Sequence, residues 1–223
     1  MCGRFTLTLD PGELREELDL GQIAAEVHAR FNVAPTQAVA VVTEAEKRQV
    51  ELFKWGLVPS WAKDPSIGSR LINARSETLA EKPSFRKAFE RRRCLILADG
   101  FFEWAHAGEK TARKTPYYFH LASHRAFTFA GLWESWRAPG GEELRSCTII
   151  TCPANERIAA FHDRMPVILP EAVRWRWLDP GAKPADLSLM LTPYPAGEIA
   201  YHSVSPMVNS PAVDEPACIL PAN

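Results

Sequence analysis

The chain has 223 residues, 46% of them hydrophobic and 24% charged, and a net charge of −1; that size and balance predict one globular domain and exclude a strongly basic chain that binds nucleic acid by bulk charge, so any such binding needs a local basic surface. No apolar run approaches the roughly 18 residues of a membrane span, and no basic segment followed by an apolar stretch opens the chain as a secretory leader. Five cysteines without tight spacing predict free thiols in a reducing compartment, cytoplasmic if the source is bacterial, rather than a disulfide scaffold or a zinc site.

In chain order, Phe5 to Thr8 alternates as a strand. Asp10-Pro11-Gly12-Glu13 then opens a helix, with Asp as N-cap, Pro at the first position and Glu three residues on. Ala38–Val42 and Val50–Phe53 read as strands across a polar turn, and 56–69 as a surface loop rich in Trp, Pro, Gly and Ser. Ser84–Arg92 is a helix with Phe85, Ala88 and Phe89 on one face. Cys94–Ala98 is a buried strand, and Phe101, Glu103 and Ala105 alternate along its continuation. Tyr117–Leu121, Phe127–Leu132 and Cys147–Cys152 are further strands. Ala154–Phe161 predicts a short helix, Met165–Leu169 a strand, and Glu171–Leu178 and Pro184–Leu191 two more helices. Tyr201–Asn209 is extended, and Pro211–Asn223, rich in Ala and Pro, predicts a loosely attached tail beyond a domain spanning 1–210. Strands and helices without a β-α-β rhythm predict an α+β fold.

The chemistry concentrates at the start, Met1-Cys2-Gly3-Arg4. Cys2 is small enough for an aminopeptidase to remove Met1. Its freed α-amine, with a pKa of about 7.7–8.0, and its thiol could then trap an aldehyde together: the amine forms an imine and the thiol closes a five-membered thiazolidine. An internal cysteine cannot do this, because its nitrogen is an amide. Further segments put polar residues into apolar, turn-rich surroundings: Asn32 to Pro35, Trp55-Gly56 with Pro59 and Trp61, Asn73 to Thr78, Ala98 to Trp104, and His162 to Pro166. His202, Val204-Ser205 and Asn209 complete the set.

Taken in order, these motifs resemble the SRAP family, the SOS-response-associated peptidase domain, over nearly the whole chain. The resemblance implies a twisted pseudo-barrel of mixed strands with peripheral helices. It also implies covalent capture of abasic sites in single-stranded DNA, in a thiazolidine crosslink that shields the strand from cleavage. Cys2 matches the nucleophile, Glu103 the acid–base carboxylate, His162 an active-site histidine and Asn73 a holder of the Cys2 amine or thiol. Arg4 and Arg75 match phosphate-binding positions, and Arg164 is a further candidate DNA contact. Trp61 and Met165, with Pro35, are candidates for stacking on or wedging between bases of the DNA, and Thr151 matches a residue near the active site. The partner implied is single-stranded DNA with abasic sites at stalled replication forks, bound by a nucleoid-associated monomer, with no membrane, metal or cofactor. The chain departs from the family pattern at Leu97, Phe102 and Ser203, none of them a proposed catalytic position.

Two rival readings remain open. Cys2, His162 and Glu103 also suit a cysteine peptidase, including one that only removes its own Met1. Arg75 and Trp61 also suit a non-covalent reader of damaged or single-stranded DNA. On spacing alone, His162 is equally a structural histidine and each arginine a solvated surface charge.

Overall fold

Apolar alternation in this chain is spent on strands, and five of them close a ring. The computed structural model describes residues 2–105 and 114–222. The first half holds β1 (Phe5–Leu7), α1 (Pro11–Leu18), β2 (Arg30–Val33), β3 (Ala38–Val42), β4 (Val50–Trp55), β5 (Asn73–Arg75), α2 (Arg86–Arg91), β6 (Arg93–Ala98) and β7 (Gly100–Ala105). The second holds β8 (Thr115–Leu121), β9 (Phe127–Arg137), β10 (Glu143–Pro153), β11 (Arg164–Pro166), β12 (Ile168–Leu169), α3 (Glu171–Arg174), α4 (Pro184–Ser188) and β13 (Ile199–Ser203). Strands β4, β3, β6, β9 and β10 each pair with the next and β10 returns to β4, the last contact parallel and the others antiparallel. This barrel, with few and short helices, is the expected α+β architecture.

A second sheet runs β13-β8-β7-β1-β2. Phe5 of β1 locks it to the barrel, its ring edge-on to Trp55 at 5.1 Å and to Phe129 at 5.8 Å. Removing a buried aromatic of this kind costs about 3–5 kcal/mol, so the strand that follows Cys2 is firmly set. The Asp10 cap is built as expected, with its side chain accepting from Gly12 and Glu13 and the Glu13 carboxylate returning to the Asp10 N–H.

Four expectations are corrected. Residues 154–161 form turns rather than a regular helix: Asn155 caps the start by accepting from the Arg157 and Ile158 N–H groups, but the four-apart backbone bonds that follow, Ala159 to Asn155 and His162 to Ile158, are not consecutive. Residues 171–178 split into α3 and a 3-10 turn, and the extended run expected over 201–209 ends at Ser203 before the 3-10 turn Pro206–Asn209. The segment from 211 to 222 does not hang loose. Asp214 accepts from the Phe31 and Asn32 N–H groups at 2.6 and 2.9 Å and pairs with Arg30, Cys218 is buried, and Val204 bridges Pro221.

Candidate active site

The register of β1 sets the site. Phe5 pairs with Phe101. Extending that antiparallel register by two residues puts Gly3 level with Glu103, so Cys2 enters where Glu103 stands. The thiol is buried, with Sγ 3.8 Å from the Arg4 carbonyl. Burial first, and the negative charge of Glu103 second, push its pKa far above the ordinary thiol value. Glu103 itself is 3% exposed. Desolvation raises its pKa to about 7, with the Asp163 charge acting in the same direction. Thiol, carboxyl and the Asp163 turn therefore share one electrostatic environment.

Strand β10 brings in the other two groups. Around Thr151 it carries β5 on one side and β11 on the other, pairing Thr151 with both Arg75 and Pro166. Asn73, at the start of β5, donates from Nδ2 to the Cys2 carbonyl at 2.8 Å. The expected contact was the Cys2 amine or thiol; the amide holds the backbone of Cys2 instead. Its Oδ1 is buried without a hydrogen-bond partner among the described residues.

His162 precedes β11. Its Nδ1 is 2.9 Å from the Arg164 N–H and 2.8 Å from Asp163 Oδ1. One ring nitrogen serves only one of these at a time. Without a proton Nδ1 accepts from the Arg164 N–H; carrying one, in the Nδ1–H tautomer or the charged ring, it donates to Asp163. Whether Nδ1 carries a proton therefore decides which partner it holds.

The expected DNA contacts divide. Trp61 is 58% exposed, and Arg75 is exposed and Pro35 half-buried. The loop that carries Trp61 is pinned beneath it. Gly56, at φ 124°, passes so close to Gly68 that a Cβ would meet its carbonyl oxygen at 2.6 Å, and Trp136 Nε1 donates to the Ala62 carbonyl at 2.7 Å. Arg4 is engaged: its guanidinium donates to Asn32 Oδ1 at 2.8 Å, the Val208 carbonyl at 2.7 Å and the Asn209 carbonyl at 3.1 Å. Arg164 is engaged too, in a bidentate pair with Glu77 at 2.5 and 2.9 Å and a bond to the Thr151 carbonyl at 2.6 Å.

Met165 and Thr151 do not present themselves to a strand. Met165 is buried, with Sδ 3.4 Å from the Asn155 N–H, and cannot wedge between bases. Thr151, flanked on both sides in the sheet, is buried with its hydroxyl 3.4 Å from the Ala74 carbonyl. Residue-by-residue reading missed Glu77 and Asp163. Both lie inside the quoted motifs, an acid beside arginines, which is the signal that could have found them.

Against known proteins, a family model described as SOS response associated peptidase (SRAP) matches residues 1–211. The abasic site processing protein YoqW of Bacillus subtilis is 43% identical across 98% of this chain and 99% of its own length. The abasic site processing protein HMCES of Xenopus tropicalis is 31% identical across 98% of this chain and 78% of its own. A crystal structure of a protein from Bacteroides thetaiotaomicron superposes with a TM-score of 0.88 over the full length of both chains, at 25% identity. Among the described residues, no helix is long and apolar enough to cross a membrane.

Proposed function

The chain belongs to the SOS response associated peptidase family, and from that premise we propose that it processes abasic sites by bonding to them through Cys2. One observation supports this above the others: the Glu103 charge bears on the Cys2 thiol while burial brings the Glu103 carboxyl to about 7. A group titrating there can both give and take a proton at neutral pH.

The steps balance as follows. The Cys2 amine, freed from Met1 (a residue outside the described ones), adds to the aldehyde of the ring-opened sugar to give a carbinolamine. Protonated Glu103 gives its proton to the departing hydroxyl, so water leaves and an iminium remains. The Glu103 carboxylate then takes the thiol proton, and the thiolate adds to the iminium carbon. Ring closure leaves a neutral nitrogen and Glu103 protonated again, with one water released overall. The closed ring has no iminium to withdraw electrons, so β-elimination of the strand stops.

Asn73 holds the Cys2 carbonyl during these steps, and its Oδ1 would accept an N–H of the freed amine. His162 would pass a proton to or from the sugar. Arg75 and Trp61, the exposed members of the expected set, would meet a phosphate and a base of a single strand. Arg164 would do so by leaving Glu77. Single strands at stalled replication forks are the proposed substrate, with the protein acting as a monomer.

The experiment is a denaturing gel with abasic single-stranded and duplex oligonucleotides. The native protein gives a heat-stable shifted band on the single strand, and Cys2→Ala gives none. Equal crosslinking by Cys2→Ala would end the proposal, and binding that high salt abolishes without any covalent band would favour a non-covalent reader. The Cys2 thiol and the Glu103 carboxyl also suit self-removal of Met1. In that case intact mass shows Met1 retained in Glu103→Gln.

A further inference from the structure

Two arginines are buried to nearly the same degree, Arg93 at 4% exposure and Arg174 at 6%, and their surroundings differ. Arg93 donates to four carbonyls, those of Trp177, Phe89, Glu90 and Asp179, at 2.6–2.9 Å. Arg174 makes no side-chain hydrogen bond among the described residues, and its Nε is buried without a partner. Its nearest counter-charge, Glu171, stands at 3.6 Å, outside hydrogen-bond range. A buried guanidinium left in this state is costly unless something else binds it.

Arg174 lines a cleft of about 260 Å³ together with Arg125, Ser123, Tyr194, Glu171 and Glu198. Glu171 stands loosely between the two arginines, 3.6 Å from Arg174 and 3.8 Å from Arg125, with its own side chain 71% exposed. It can swing to solvent at little cost. Glu198 is occupied by the Tyr194 hydroxyl at 3.3 Å. The cleft lies at the Leu121 end of β8. Glu103 pairs with Tyr117, four residues back, about 13 Å along the strand. It is therefore a second place on the molecule, separate from the Cys2 site.

We propose that this cleft binds a phosphate group, which displaces Glu171 and bridges Arg174 and Arg125. A tetrahedral oxyanion offers more acceptors than a carboxylate and can meet both guanidinium forks together. The phosphate is either free, as inorganic phosphate or a small monoester, or a backbone phosphate of a nucleic-acid strand. The two sources share the recognition chemistry.

The test is thermal unfolding of the full chain against inorganic phosphate, with sodium chloride at matched ionic strength. Phosphate also stabilises proteins by exclusion from their surfaces, so the decisive shift is the one that saturates and depends on the arginines. The native protein should rise by on the order of 5–10 °C once phosphate is about a hundredfold above its Kd. Arg125→Ala, at an exposed position, and Arg174→Met should both lose the saturable part. Without phosphate, Arg174→Met should melt no lower than the native protein, since it removes a buried charge with no side-chain hydrogen bond among the described residues. A second arm follows binding of an undamaged single-stranded oligonucleotide against salt. A slope smaller by about one in the variants assigns the site to a strand phosphate, and an unchanged slope assigns it to free phosphate. No saturable shift in the native protein, the same shift in both variants, or a marked loss of stability in phosphate-free Arg174→Met overturns the proposal.

Discussion

Two glutamates on strands are almost equally hidden, Glu103 in β7 at 3% exposure and Glu134 in β9 at 4%. Arg92 meets Glu134 with two N–H groups, one of them Nε at 2.9 Å, so that carboxylate is part of the scaffold. At Glu103, desolvation outweighs the attractive charges around it, and the carboxyl titrates at about 7. Burial alone therefore does not make a proton carrier. At Glu134 a guanidinium is held against the carboxylate, whereas at Glu103 desolvation is the largest influence.

The comparison breaks most sharply on reactivity. Glu103→Gln should slow crosslinking by on the order of 10²–10⁴-fold, whereas Glu134→Gln should leave the rate within about twofold; equal losses would mean both act through folding. The next effect is on pH dependence. Glu103 binds its proton more tightly folded (about 7) than at the ordinary value of 4.5. Its contribution to stability is therefore full below 4.5 and is lost as pH rises through 7. Urea unfolding should show Glu103→Gln gaining on the native protein between pH 5 and pH 8, by up to roughly 3 kcal/mol. A flat difference would place the folded pKa near the ordinary value.

Glu134→Gln should instead cost about 2 kcal/mol at neutral pH, a drop of about 4–8 °C in Tm, because Arg92 loses its partner. The smallest effects carry the same contrast over to the cations. Arg75→Ala, which removes an exposed charge with no side-chain partner among the described residues, should weaken single-strand binding a few-fold and lower the salt slope by about one. Glu77→Gln, which releases Arg164, should strengthen it by a similar factor. Weaker binding in Glu77→Gln would mean that the pair holds β11 in place rather than competing with phosphate.

Local signals in the sequence were legible. The Asp10–Glu13 cap needs only its own four residues, and the strands follow from alternation. The turns at 154–161 were not, because Asn155 can cap a helix or fold its side chain over a turn with the same composition. Nor was the packed end of the chain: its Ala and Pro content hides Asp214 and Cys218, whose partners lie far away in sequence. Cys2 and Glu103 were found through the motifs, and the register of β1 on β7 accounts for their meeting. Met165 and Thr151 lie on opposite faces of the sheet, since Met165 pairs with Cys152 and Thr151 with Pro166, and both faces are covered there. Whether Asn73 reaches the amine or the carbonyl of Cys2 is a matter of a few ångströms, below what residue spacing carries.

Strand β1 also has a mechanical meaning. It is an interior strand, held by β7 and β2 on its two edges. Arg4, just ahead of it, is clasped to the Val208 and Asn209 carbonyls from the other end of the polypeptide. A tether fixed to Cys2 and pulled by a translocating motor would load both ladders and the clasp in shear together, rather than peeling a loose end one bond at a time. With Cys2 as the anchor, as proposed, the load would fall where the protein resists tension.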